Sequence, residues 1–209
     1  MSFTIFGDKG SGAFSAEAAL AEAGAPYEFQ TISLEKSEQK SPAFLAINPS
    51  GKMPALRTPE GEIVTESAAI LLTIADYFPN AHLLPPQASF ARAQAYRWIA
   101  FMASEIYPAV EIADYPERFS PDADSTEAVR DIARARVRKR LLLLERALAG
   151  PWFLSTGFSA VDIYAAMFSR WSAGAEWRAE NLPKLVELAN ALASRPAIAP
   201  VWARHFAQQ

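Results

Sequence analysis

The chain opens on a short apolar, β-prone run, Phe3 to Phe6. It stops at Gly7-Asp8-Lys9-Gly10-Ser11-Gly12, whose glycines permit the positive φ of a tight loop. The alanine-rich stretch Ala13 to Ala23 predicts a helix, and Gly24 with Pro26 stops it. Tyr27 to Leu34 alternates loosely enough to read as a strand, so the opening is β-α-β, and a right-handed crossover makes its strands parallel. After the polar stretch Glu35 to Ser41 comes a short helix, Pro42 to Ile47, which ends at Asn48-Pro49-Ser50-Gly51. Ala55 to Thr58 and Glu62 to Thr65 flank Pro59-Glu60-Gly61 as a hairpin. Ser67 to Phe78 then returns to helical spacing, with Ile70, Leu71, Ile74, Ala75 and Phe78 on one face.

The order β-α-β-α-β-β-α is that of an α/β domain over residues 1–79. Pro79 to Gln87 has three prolines and no periodicity, so residues 80–87 read as a linker. Residues 88–209 read as an all-helical bundle, with helices at Phe90 to Val110, Thr126 to Ala149, Ala160 to Trp171 and Pro183 to Ala193. The basic cluster Arg134 to Arg140 sits at helical spacing and reads as a solvated face.

A formal charge of −3 offers no broad attraction for nucleic acid or anionic lipid, which argues against both as partners. No cysteine is present, which removes disulfides, cysteine-based zinc sites and a cysteine nucleophile; a thiol in the chemistry must arrive with a ligand. No metal constellation stands out. The first residues lack the basic stretch and apolar run of a signal peptide, and no segment approaches membrane-spanning length, so a soluble, cytoplasmic protein is expected.

Four segments then narrow the reading. Asn48-Pro49-Ser50-Gly51-Lys52-Met53-Pro54-Ala55-Leu56 is similar to the NPxGKVPAL segment of the cytosolic glutathione transferase superfamily, and Glu66-Ser67-Ala68-Ala69-Ile70 is similar to its ESxAI. Phe158-Ser159-Ala160-Val161-Asp162-Ile163 resembles the capping box and hydrophobic staple of that family's helical domain, where the role is structural. The Gly10 to Ser15 loop stands where the family presents its catalytic hydroxyl or thiol.

The resemblance implies a thioredoxin-like first domain that binds glutathione as co-substrate. The helical domain would contribute the site for a small hydrophobic electrophile, and the protein would be a homodimer. Pro54 matches the family's cis-proline, which leaves the main chain of Met53 to pair with an extended peptide; Lys52 completes this group. A helix N-terminus suits the γ-glutamyl carboxylate, so Ser67 would bond it and Glu66 would accept from the ammonium. The thiolate would be favoured by Ser11, with Ser15 or the backbone N–H groups of Gly12 or Ala13 as alternatives.

Glu105-Ile106-Tyr107 resembles a Glu-Leu-His element of the beta class, so Tyr107 would face the sulfur or the electrophile, with Phe101 and Tyr164 as further pocket walls. Gly12 stands where that class has its cysteine, and Phe6 where other classes have a tyrosine, which leaves a serine-type enzyme. The expected activity is conjugation of the glutathione thiolate to an electrophile. The alternatives are another glutathione-dependent reaction, such as peroxide reduction, isomerisation or dehalogenation, and a non-catalytic ligand-binding protein. His82 and His205 have no partner arranged by any motif and read as surface or structural residues.

Overall fold

A computed structural model of the chain describes residues 2–171 and 174–206. Contacts divide it into two compact units. One is the chain up to Leu84 together with the segment from Leu192 onward, and the other is Pro85–Ala191.

The first unit is built on a four-stranded sheet ordered β2-β1-β3-β4, with β1 at Phe3–Gly7, β2 at Tyr27–Thr31, β3 at Ala55–Arg57 and β4 at Ile63–Thr65. β1 runs parallel to β2 and antiparallel to β3, and β3 pairs antiparallel with β4. With α1 (Ala13–Glu22), α2 (Pro42–Leu45) and α3 (Ser67–Tyr77), this is the thioredoxin-like β-α-β-α-β-β-α order read from the sequence.

Every residue from Ala13 to Leu20 is buried, because α1 packs on β1, on α3 and on a helix near the C-terminus, α10 (Ala199–Phe206). A helix covered on all sides needs no polar stripe, and alanine lets its neighbours come close. At Gly7 the approach is closest: a Cβ there would lie 2.2 Å from that of Ala13, so only glycine fits where β1 turns into α1. Gly24, at φ 65°, closes α1; the Gly24 and Ala25 N–H groups donate to the Ala21 and Leu20 carbonyls at 3.0 Å.

β2 ends at Thr31, short of the Leu34 expected from its pattern. The Ile32 N–H still reaches the Gly7 carbonyl at 2.8 Å. The next two amides are captured by carboxylates: Ser33 N–H donates to Glu38 and Leu34 N–H to Asp8, each at 2.8 Å. Side-chain acceptors thus replace the ladder where the chain turns away.

The second unit contains α4 (Phe90–Phe101), α5 (Tyr107–Asp114), α6 (Thr126–Ala147), α7 (Ala160–Ser169), α8 (Ala175–Asn181) and most of α9 (Pro183–Ala193). The single helix expected from Phe90 to Val110 is interrupted by a π-helical turn, Met102–Ile106. Pro108 explains it: proline has no N–H and its ring crowds the carbonyl four residues earlier, so the helix widens one turn to pass it. α8 and α10 were not expected from the pattern; both are short.

α7 is buried along its whole length. The capping box forms as read. Ser159 N–H donates to Asp162 Oδ2 at 2.7 Å, and the Ser159 hydroxyl receives backbone N–H groups of the first turn. Asp162 also accepts the Phe153 N–H at 2.6 Å, tying the preceding loop to the helix start. Glu145 of α6 does similar work at a distance, accepting the Lys184 and Leu185 N–H groups at 3.0 and 2.9 Å and so capping α9. Three arginines of the basic cluster of α6 have partners within the second unit. Arg140 and Arg136 reach Glu105 at 3.0 and 3.3 Å and hold its carboxyl below the usual range, and Arg138 lies over the Trp177 ring at 5.0 Å. Among the described residues no helix is long and apolar enough to cross a membrane.

Candidate functional site

Strand register brings the sequence-predicted segments of the first unit to one end of the sheet. Gly7 stands opposite Thr31, Phe6 opposite Ala55, and Ala55 opposite Thr65. Four segments therefore meet beyond that end: the loop after β1, the stretch after β2, Met53-Pro54 entering β3, and Glu66-Ser67 leaving β4. It is the carboxyl end of the two parallel strands, where open α/β sheets place their ligand sites.

The loop after β1 is tightly tied. Asp8 Oδ1 accepts the Lys9 N–H and Asp8 Oδ2 the Leu34 N–H, both at 2.8 Å. The Ser11 hydroxyl donates to the Asp8 carbonyl at 2.7 Å and accepts the Asp8 and Ala13 N–H groups at 3.2 Å. Its proton is thus engaged by the backbone, and Ser11 is buried. Ser15 is fully buried and donates to the Gly12 carbonyl at 2.8 Å. Of the alternatives read from the sequence, Ala13 N–H is therefore bonded to Ser11, whereas Gly12 N–H has no acceptor among the described residues. Gly12 is the N-cap of α1 and is buried. A buried, unbonded N–H at the positive end of a helix is costly unless an anion meets it.

Met53-Pro54 is a cis peptide. The Met53 side chain packs against the cluster of Phe6, Ile32, Phe44 and Ala55, while its main-chain N–H and C=O make no hydrogen bond among the described residues. Lys52 is exposed, and its carbonyl is held by the Asn48 amide at 2.6 Å. Glu66 takes φ 64° and ψ 113°, a strained conformation for a residue with a side chain, and is exposed. Ser67, buried, opens α3, whose next two N–H groups, of Ala68 and Ala69, have no acceptor among the described residues.

Tyr107 lies in the second unit, at the start of α5, with its ring edge-on to Phe168 and Trp171 at 5.3 and 5.6 Å. Phe101 packs on Trp98 at 5.6 Å. Tyr164 is fully buried against Phe168 and is a core residue of that unit.

Three residues escaped the sequence reading. Gln39 is buried with its Oε1 unbonded. Lys40 sets its Nζ 2.8 Å from where a Gly51 Cβ would stand. Both lie in the polar stretch after β2, where no periodicity marks them. His205, read as partnerless, is buried, and its Nδ1 accepts the Gly10 N–H at 3.1 Å.

Known proteins resemble this chain in sequence and in fold. Residues 1–76 match the family model "Glutathione S-transferase, N-terminal domain". The chain is 30% identical over 202 residues to the "Uncharacterized GST-like protein YncG" of Escherichia coli (strain K12), covering 96% of this chain and 97% of that one. It is 26% identical over 196 residues to "Glutathione S-transferase GstA" of Escherichia coli O157:H7, covering 93% and 94%. Among solved structures, a glutathione transferase homolog from sulfitobacter with bound glutathione superposes with a TM-score of 0.89 at 27% identity, over 96% of each chain.

Proposed function

Because the chain belongs to the glutathione S-transferase family, we propose that it binds glutathione across the carboxyl end of its sheet and conjugates the thiol to a small hydrophobic electrophile. The supporting observation is that three unbonded sets of backbone groups converge there. The Met53 main chain offers one donor and one acceptor to an extended peptide, and the start of α3 offers N–H groups to a carboxylate. Gly12 N–H offers a donor to sulfur. In this reading Ser67 bonds the γ-glutamyl carboxylate, Glu66 accepts from the ammonium, and Lys40 with Lys52 supplies cations for the glycyl carboxylate.

Ser11 builds the loop and the Gly12 amide faces the sulfur, because the Ser11 proton is already engaged at 2.7 Å. An N–H at the positive end of a helix favours thiolate over thiol, and one unit of pKa corresponds to about 1.4 kcal/mol of differential stabilisation. The thiol proton goes to solvent, the sulfur forms a bond to the electrophilic carbon, and the leaving group departs with its electron pair.

Calorimetric titration with glutathione, followed by conjugation of a chloronitrobenzene-type electrophile, tests this directly. Absence of glutathione binding overturns it. Ser67→Ala is expected to weaken binding about tenfold, the loss of one hydrogen bond to a charged group. Ser11→Ala is expected to lower turnover by no more than about tenfold; a loss of about a hundredfold or more, the usual cost of removing a donor to a developing anion, would return the sulfur to the Ser11 hydroxyl.

A further inference from the structure

α10 sends one side chain to the loop just described. Gly10 N–H donates to His205 Nδ1 at 3.1 Å across 195 residues of sequence. A backbone amide can only donate, so Nδ1 carries no proton and the ring proton sits on Nε2. Nε2 in turn lies 2.9 Å from Glu17 Oε2. Glu17, on α1, is fully buried and is also held by Arg204 and by the Tyr27 hydroxyl at 3.0 Å. The imidazole is fully buried among Phe14, Phe29 and Phe206, with ring centroids at 5.5, 5.9 and 6.0 Å. Carboxylate, tautomer, ring and loop amide thus form one chain of fixed directions.

We propose that His205 is a positioning residue for the thiolate site: Glu17 fixes its Nε2–H tautomer, and Nδ1 then orients the Gly10 peptide. This holds the Gly10-Ser11-Gly12 turn so that Gly12 N–H faces the sulfur position. The inference rests on the glutathione reading given above. Asp8 and Ser11 tie the loop to itself and to the exit of β2, and His205 anchors it from the far side. Small displacements of a catalytic donor carry large rate penalties, so such an anchor has a function beyond stability.

The ring has two jobs that two substitutions separate. The Oδ1 of His205→Asn stands where Nδ1 stood and can still accept from Gly10, but the partner for Glu17 is lost. The terminal amide of His205→Gln reaches the Nε2 position and keeps Glu17, but removes the Nδ1 acceptor from the Gly10 N–H. Both lose ring packing, so both are expected to be less stable. With native protein, both variants and glutathione, His205→Gln is expected to lower kcat about tenfold with little change in KM for glutathione, and to raise the pKa of the bound thiol as read from thiolate absorbance. His205→Asn is expected to recover most of both. Equal losses in the two variants, following their stability, would make His205 structural only and overturn the proposal.

The native protein gives a second test that needs no variant. It has two histidines, and ring nitrogen shifts are expected to show His205 as the Nε2–H tautomer, with slowed exchange at the Gly10 amide. An Nδ1–H tautomer or a freely exchanging Gly10 would overturn the proposal. These readings use protein without glutathione, so failure to bind glutathione would sink the functional reading while leaving this geometry separately decided.

Discussion

Among the described residues two acidic side chains lie fully buried, one in each unit, and they are accommodated by opposite means. Asp162 is held by nearby groups: the Phe153 and Ser159 N–H groups at 2.6 and 2.7 Å and the Ser159 hydroxyl at 3.2 Å. No cation answers it among these partners, so burial dominates and pushes its carboxyl up to about 6 despite the donors. Glu17 is held by Arg204, His205 and Tyr27, groups that lie 187, 188 and 10 residues away. The first arrangement caps one helix and can be satisfied as that helix forms. The second requires α1, β2 and α10 to be assembled, so it makes the first unit depend on the segment after Leu192.

The sharpest way to break the comparison is Glu17→Ala. It leaves a buried imidazole and a guanidinium without their anion, and removing one member of a buried charged set costs about 3 to 5 kcal/mol. Urea denaturation at neutral pH is expected to show that loss, together with faster amide exchange at Gly10. Glu17→Gln, which keeps an acceptor but not the charge, should fall between. A Glu17→Ala cost no greater than that of the substitution at Asp162 would show that the distant network is the lesser of the two.

Asp162→Asn comes next. Asparagine can accept from one of the two amides but must turn its own NH₂ toward the other, which leaves a buried donor unmet at a cost of about 2 to 3 kcal/mol. The pH dependence has a definite sign. The folded carboxyl, at about 6, is raised above its ordinary value of 3.8. Between these values the unfolded chain ionises first, so the Asp162 contribution is full below about pH 4 and is lost as pH rises through 6. The penalty of the substitution is therefore expected to be largest in acid and to shrink toward neutrality. A penalty that grew with pH would mean that the hydrogen bonds, not burial, dominate.

The same contrast marks what the sequence could disclose. Ser159 and Asp162 stand three residues apart before an apolar run, so their cap is legible from spacing, as is the order of elements along the first unit from the alternation of strand and helix signals. Met53-Pro54 and Glu66-Ser67 were likewise legible, because each is a local pattern at the end of an element. Glu17 in an alanine-rich helix and His205 near the C-terminus carry no such mark; only the fold brings α10 onto α1. Ser11 can be singled out by its position, but that its proton serves the Asp8 carbonyl at 2.7 Å while Gly12 N–H stays unbonded among the described residues depends on loop geometry no spacing encodes. Gln39 and Lys40 were missed for the same reason, and the break of the Phe90 to Val110 helix at Pro108 was legible in principle from the proline alone.

The smallest expected effect sharpens the comparison from the rim of the Glu17 network. Tyr27 donates its hydroxyl to Glu17 at 3.0 Å. Its phenol is pushed up to about 12, first by burial and then by the charge and hydrogen bond of Glu17, with Arg204 opposing. A raised folded value means that the contribution of the phenol is full below its ordinary value of 10 and is lost as pH rises through about 12. Tyr27→Phe should therefore cost about 1 kcal/mol, one hydrogen bond at a half-buried site, and the cost should stay flat from pH 6 to about 9. In a spectrophotometric titration of the tyrosines, the variant should lose a component that ionises about two units above an ordinary phenol. Tyr77, raised by its bond to Glu60, is untouched by the substitution and serves as the internal control. If Tyr27→Phe instead approached the cost of Glu17→Ala, the phenol would belong to the centre of the network, and the anchoring of the loop would need all three partners of Glu17, not His205 and Arg204 alone.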